Sequence, residues 1–243
     1  MNAQKAEEKK RKRKGILITI SVHAVAVVLF CLFGFDVVDP KVLYGSYIYT
    51  SSSSPDLKDH FNKYSEYLFK KNCINKKSTV LDVGCNDGLF LNSLKSFSNN
   101  LFGIDPAPNI LDSNYKKDYK LFSGFCNEKN IKKLKYSHGI KEFNLVTANN
   151  VFAHADNLDE MLSAIAGSLS KDGYFCFEVS YIYDMVKSKI VDYIYHEHLS
   201  YHGIKSLKPF LGKHGLIIVD IKRISTKGGS IRVLASKNKS LEN

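Results

Sequence analysis

The stretch that most restricts the fold is "STVLDVGCNDGLFLNSLKSF", residues 78–97. "TVLDV" is a short apolar run with β-branched residues, as a parallel strand buried on both faces requires. Gly84 and Gly88 follow, and glycine permits tight turns and close backbone approach. The residues after them read as a helix whose first N–H groups point at whatever lies in the loop. "NLFGIDPAPNI" then supplies a second strand ending at Asp105, 21 residues after Gly84. An acidic residue at that spacing grips ribose hydroxyls in nucleotide-binding α/β folds. A glycine loop alone is weak evidence. Loop, spacing and acidic strand end together predict a Rossmann-like α/β domain with a mostly parallel sheet.

The remainder continues in that order. "GFCNE" (124–128) follows a third short strand. "EFNLVTANNVFAHADN" gives a fourth strand ending at Ala148-Asn149-Asn150. "NLDE" reads as a capping box, with Asn157 as N-cap and Glu160 reaching back. The helix behind it places Leu158, Met161, Leu162, Ile165 and Leu169 on one face. "SKDGYFCFEVS" is a turn and a fifth strand, and "GLIIVDIKRI" with "GGSIRVLAS" makes a closing antiparallel pair. Upstream, "DLKDHFNKYSEYLF" carries Leu57, Phe61, Tyr64 and Leu68 as a core stripe.

With 243 residues the chain holds one such domain and little more. The net charge of +11 looks like a nucleic-acid signal until it is mapped. Residues 1–14 hold seven basic residues against two acidic ones, which leaves +6 spread over the rest. That diffuse excess reads first as a solvated basic surface and second as a polyanion-binding face. The five cysteines, Cys31, Cys73, Cys85, Cys126 and Cys176, are odd in number and form no C-x-x-C. Free thiols in a reducing compartment follow, rather than a disulfide framework or a structural zinc site.

"GILITISVHAVAVVLFCLFGF" (15–35) has no formal charge and the length of a membrane span. No small-x-small site ends it, so a signal peptide ranks behind a single-pass membrane helix. The expected organisation is a basic tail (1–14), a transmembrane helix (15–35), a Tyr/Ser-rich segment (36–55) and a catalytic domain (56–243). "KKRKRK" precedes the helix, so the positive-inside rule puts residues 36–243 outside the cytoplasm. This anchor, with "FGFDVVDP" after it, resembles that of TonB-type energy transducers over some forty residues.

The pattern D-x-G-x-N-x-G, from Asp82 to Gly88, resembles motif I of class I S-adenosylmethionine-dependent methyltransferases. There the acidic residue faces the amino-acid end of the cofactor, although Asp82 could instead be a cap or a surface charge. The resemblance implies a cofactor site at Asp82, Gly84, Asn86, Gly88, Asp105, Phe125, Cys126 and Asn149, with the "GFCNE" turn beside the adenine. "YIYTSSSS", "DVGCNDG", "ANNVFAHADNLDEML", "YIYHEHLSYHGIKSL" and "KGGSIRVLAS" occur in the order seen in nucleotide-sugar 3-C-methyltransferases. This similarity covers roughly residues 44–237. It implies C-methylation of a keto-deoxysugar through an enediolate, in a substrate site with Tyr47 or Tyr49, His154, Tyr195, Glu197 and His198. That family usually begins with a zinc module and continues past "GGSIR", so the chemistry transfers more safely than the substrate. Because S-adenosylmethionine is held in the cytoplasm, such a domain needs the cytoplasm, against the positive-inside rule. An atypical fusion is the expected resolution.

"IYHEHLSYH" (194–202) concentrates three histidines, a glutamate and two tyrosines. Removing a proton next to a ketone needs a base that titrates near neutrality, which points to His198. Glu197 would orient it, Tyr195 would hydrogen-bond the developing oxyanion, and His196 would lie at the substrate. A metal site of His196, His198, His202 and Glu197 is the second reading. On a strand, however, Glu197 faces away from the histidines. A structural polar strand edge is the third. For "GSYIYTSSSSP", a plain Ser-rich linker fits the composition as well as a substrate segment does. A nucleic-acid methyltransferase is disfavoured because the fourth strand ends in "ANNV" without a D/N-P-P-Y/F element. A small-molecule O- or N-methyltransferase, or an inactive cofactor-binding remnant, remains the alternative. A small-molecule substrate is the expected partner, with no metal and no nucleic acid.

Overall fold

The computed structural model describes residues 39–45, 47–108, 118–195 and 197–241. The expected basic tail, the transmembrane helix and most of the TonB-like stretch lie outside these residues, as does His196. Among the described residues, no helix is long and apolar enough to cross a membrane. Residues Asp39–Asn243 form one compact unit.

Among the described residues, seven strands make one sheet in the order β3-β2-β1-β4-β5-β7-β6. They are β1 (Thr79–Val83), β2 (Asn100–Asp105), β3 (Lys120–Ser123), β4 (Phe143–Asn149), β5 (Leu169–Ser180), β6 (Ile217–Ile224) and β7 (Ser230–Ser236). Neighbours from β3 to β5 pair in parallel, and β7 runs antiparallel to both β5 and β6. The closing pair read from the sequence is therefore present. Chain order reverses beside β1, with β2 on one side and β4 on the other, so a crevice opens there at the strands' carboxyl ends.

Period-two alternation sends side chains to two separate cores. Leu81, Val83, Ile104 and Val146 pack on one face with α4 (Glu128–His138) and α5 (Leu158–Ser168). Val80, Leu101, Leu145 and Leu234 pack on the other with α2 (Pro55–Lys70) and α3 (Leu89–Leu94). The α2 stripe holds as read, with Phe61, Tyr64 and Leu68 buried. Asn157 caps α5 by accepting from the Glu160 N–H at 3.0 Å. Glu160 reaches back to the Asn157 side-chain amide (3.4 Å). Leu169, read as the end of that helix, instead begins β5 and pairs with Phe143.

Two of the alternative readings do not match the fold. The described part of 36–55 is not a bare linker. It forms α1 (Pro40–Gly45) and a 3₁₀ turn (Ser51–Ser53), and it is bonded to the β1 loop as described below. "IYHEHLSYH" is not a strand edge. Its described residues are irregular, because Leu199 N–H donates to Ala153 O at 2.7 Å and Ser200 N–H to the same oxygen at 3.3 Å. Those donors serve one carbonyl rather than a ladder, and only His202 makes an isolated bridge, to Tyr181.

Candidate active site

The loop after β1 is held from both sides. Gly84 N–H donates to Ile104 O at 2.8 Å. Gly84 has φ +65°, and a Cβ there would lie 2.4 Å from Val151 Cγ2. Any side chain would force the β4 loop outward. Asn86 N–H donates to Asp105 Oδ2 at 2.8 Å, and Ala107 N–H donates to Asp105 Oδ1 at 2.9 Å. Burial raises the Asp105 pKa, and these two N–H bonds oppose the rise. Each oxygen keeps a lone pair for a further donor.

The Tyr/Ser segment is stitched onto this loop. Ser51 N–H donates to Asn86 Oδ1 (2.8 Å), and Asn86 Nδ2 donates to Tyr49 O (2.9 Å). Ser52 N–H donates to Asp87 Oδ2 at 2.9 Å. The Asn86 amide thus holds the strap that brings the tyrosines over the crevice.

A cavity of about 530 Å³ opens at the switch point. One part of its wall is Gly84, Asn86, Asp105, Phe125, Cys126 and Asn149. The Asn149 side-chain amide is buried, and among the described residues neither its oxygen nor its nitrogen has a partner. Buried amides are nearly always bonded, so this one marks where a polar ligand group belongs. Burial pushes the Cys126 thiol up to about 12, so it stays neutral. An acidic strand end with spare lone pairs, an unmet amide and a glycine turn with no room for a side chain fit the cofactor the resemblance implies. Asp105 would take the ribose hydroxyls, and Phe125 and Cys126 would flank the base.

Two expected cofactor residues lie elsewhere. Gly88 is not on the cavity wall. Its φ is +76° and a Cβ would meet Tyr119 Oη at 2.1 Å, so this glycine admits the tyrosine. Asp82 is 2% exposed and also off the wall. It stands opposite Thr147 in the β1–β4 ladder and accepts from Thr147 Oγ1 at 2.7 Å. Alternation turns it toward the α2–α3 core, the face it shares with Val80. Burial raises its pKa from 3.8 to about 7. A carboxyl with a raised folded pKa stabilises below its unfolded value and loses that contribution as pH rises through the folded one. Asp82→Asn keeps an acceptor for Thr147 and removes the buried charge. At pH 8 it is expected to melt a few degrees higher than the wild type, by about 1–2 kcal/mol. The difference should vanish near pH 4, and cofactor affinity should be unchanged. Thermal melts across pH and calorimetry check both.

The other part of the wall carries Tyr44, Tyr47, Tyr49, His154 and Lys227. His154 ends a 3₁₀ turn (Phe152–His154) after β4. Its Nδ1 is buried, lacks a hydrogen-bond partner among the described residues and lies 3.9 Å from Glu197 Oε2. Burial, then the neighbouring His198 and Lys227, lower its pKa to about 4. Behind it, ring centroids 4.9 Å away, stands His198. His198 Nδ1 contacts Tyr193 O at 2.8 Å, and a carbonyl only accepts, so Nδ1 carries the hydrogen. Nε2 is then the lone-pair nitrogen, facing the Tyr195 hydroxyl at 2.9 Å. Burial lowers the His198 pKa below 6.5, so the ring is neutral at pH 7. Neither His198, Tyr195 nor Glu197 lines the cavity itself. Burial, then the charges of Glu197 and Tyr195, raise the Tyr47 pKa to about 12.

Both Tyr47 and Tyr49 reach the cavity, and the sequence reading missed two neighbours. Tyr44 packs edge-on to Tyr47 (5.4 Å), Phe125 (6.3 Å) and His154 (6.4 Å). Only its place in "YGSYIY" hinted at this. Lys227 precedes the Gly-Gly pair of the β6–β7 hairpin. Among the described residues, no cluster of three or more His, Cys, Asp or Glu could hold a metal ion.

Residues 56–221 match a family model described as "Methyltransferase domain". The C-methyltransferase NovU of Streptomyces niveus is 30% identical over 201 residues, which is 82% of this chain and 47% of that protein. The chain thus spans about half the length of the curated relative it matches. Magnesium protoporphyrin IX methyltransferase from Synechocystis PCC 6803, with bound S-adenosylhomocysteine, shares the fold at a TM-score of 0.57 and 14% identity. That match covers 89% of this chain and 100% of the other. The N-methyltransferase NodS from Bradyrhizobium japonicum WM9 does so at 0.55 and 14%, covering 76% and 98%. With the family match running over residues 56–221 and a sheet order and cofactor crevice to suit it, the chain belongs to the methyltransferase-domain family of S-adenosylmethionine-dependent enzymes.

Proposed function

We propose that the protein methylates a carbon next to the ketone of a keto-deoxysugar carried on a nucleotide. The observation behind this reading is the pair of neutral imidazoles at the cavity. One has a nitrogen on the wall without a partner among the described residues, and the other, behind it, has its tautomer set by a carbonyl. NovU, named a C-methyltransferase, supports the same class.

When bound, S-adenosylmethionine supplies an electrophilic methyl group at the cavity wall. The chain's residues prepare the acceptor. His198 Nε2 takes the proton from the carbon beside the ketone, with the Tyr195 hydroxyl as relay. His154 is held neutral and can hydrogen-bond the sugar without adding charge. The tyrosines of the strap orient the sugar ring, and Glu197 steadies the imidazolium that forms on His198.

The test is incubation with S-adenosylmethionine and a nucleoside-diphosphate 4-keto-6-deoxyhexose, followed by mass spectrometry. One methyl in place of one hydrogen is expected on the sugar. An unmodified keto-sugar, with methylation of phenol or amine acceptors instead, rejects the reading. Membrane attachment stays a proposal about residues 15–35. The compact unit begins at Asp39, so deleting residues 1–35 is expected to leave S-adenosylmethionine affinity unchanged by calorimetry.

A further inference from the structure

Lys227 is built into the cavity in a way that the roles assigned so far do not use. Of the described residues on the wall, Lys41 and Lys227 are the lysines. Lys41 is exposed on α1. Lys227 forms the tip of the β6–β7 hairpin with φ 51° and ψ 43°. Left-handed backbone is uncommon for a side chain such as lysine, and strain of this kind collects at functional sites. The hairpin cannot easily relax. Tyr181 N–H donates to Gly229 O (3.1 Å) and Gly229 N–H to Thr226 O (3.1 Å). A Cβ on Gly228 would meet Ile190 Cδ1 at 2.6 Å.

The ammonium is also left available. Lys227 makes no ion pair or side-chain hydrogen bond among the described residues. The buried carboxylate nearby, Glu178, is already taken by His60 Nε2 (2.7 Å) and Arg232 Nε (2.7 Å). Burial lowers the Lys227 pKa, while Glu178 and Glu197 work against that fall.

We infer that the Lys227 ammonium is a catalytic group that holds the negative charge developing on the ketone oxygen as the adjacent carbon loses its proton. In that step the C–H bond breaks and the proton passes to His198. The bonding pair becomes the C=C bond of the enolate, and the carbonyl π pair moves onto oxygen. A fixed cation in a partly desolvated cavity stabilises such charge far better than water does. The inference rests on the keto-sugar reading above and specifies which residue stabilises its intermediate.

The test isolates this step. A nucleoside-diphosphate 4-keto-6-deoxyhexose is held in D₂O with enzyme and S-adenosylhomocysteine, and loss of the C3 proton signal is followed by NMR. Wild-type enzyme should exchange the proton well above the buffer rate. Lys227→Asn removes the charge with a side chain that tolerates left-handed backbone. It should melt no lower than the wild type, bind S-adenosylhomocysteine normally and exchange about 100-fold more slowly at saturating sugar. Lys227→Arg should recover at least tenfold over the Asn variant. Exchange by the Asn variant at the wild-type rate overturns the role of Lys227 alone. So does a loss confined to the apparent KM, or an Arg variant that folds and recovers nothing. Wild-type enzyme that does not exchange the proton overturns the keto-sugar reading itself, and Lys227 with it.

Discussion

Replacing His198 with alanine is expected to slow turnover by about 100-fold or more while leaving S-adenosylmethionine affinity unchanged. On the proposed mechanism the base is lost, while the ring stands off the cavity wall that carries the proposed cofactor residues. Truncation also removes the imidazole that Tyr193 O and the Tyr195 hydroxyl contact. His198→Asn is the cleaner control, because an amide can still donate to Tyr193 O but cannot take a proton at pH 7. The pH profile separates chemistry from structure. A histidine acts as base only when neutral, and burial lowers the pKa of this one below 6.5. In the wild type, kcat/KM should stay flat from pH 8 down to about 6.5, the ordinary histidine value, and fall only below it. The same limb should be missing from the residual rate of the Asn variant. An acid limb above pH 6.5 in the wild type would contradict the burial that the structure shows. Chelators should change nothing in either enzyme.

Asp105→Ala is expected to weaken S-adenosylmethionine binding by at least tenfold. Charge-assisted hydrogen bonds from ribose hydroxyls contribute roughly 1.5–3 kcal/mol each. The same carboxylate also anchors Asn86 N–H, and the Asn86 amide holds Tyr49 and Ser51. The substitution should therefore loosen the strap as well as the cofactor site. Sugar KM should rise together with cofactor Kd, whereas Asp82→Asn should move neither. Unchanged affinity on calorimetry would remove Asp105 from the site.

The contrast between these two aspartates shows how far the sequence could be read. The place of Asp105 on the cavity wall was legible because it follows from chain distance, since a helix crossover of fixed length brings one strand end beside the previous loop. The place of Asp82 was not legible because it depends on parity. On β1 it points the same way as Val80, into the α2–α3 core, and only the register with β4 reveals Thr147 as its partner. Gly88 failed for a similar reason, since its neighbour Tyr119 is a distant residue. The backbone of the histidine segment was not legible. Its alternation of types suggested a strand, yet its N–H donors turn to Ala153 O and the chain folds as a loop. That loop packs His198 behind His154 instead of along a sheet edge. Tyr44 and Lys227 had only weak local signals, their places in "YGSYIY" and "KGGSIRVLAS", because each becomes a wall residue only when the strap and the last hairpin close over the crevice.

The central claim is that the accepting atom is carbon. The most direct measurement is NMR of the product made with S-adenosylmethionine labelled with ¹³C in the methyl group and a uniformly ¹³C-labelled keto-sugar. The account predicts a one-bond carbon–carbon coupling between the new methyl and a ring carbon adjacent to the ketone. A methyl signal at the shift of a methoxy or N-methyl carbon, with no such coupling, would contradict it.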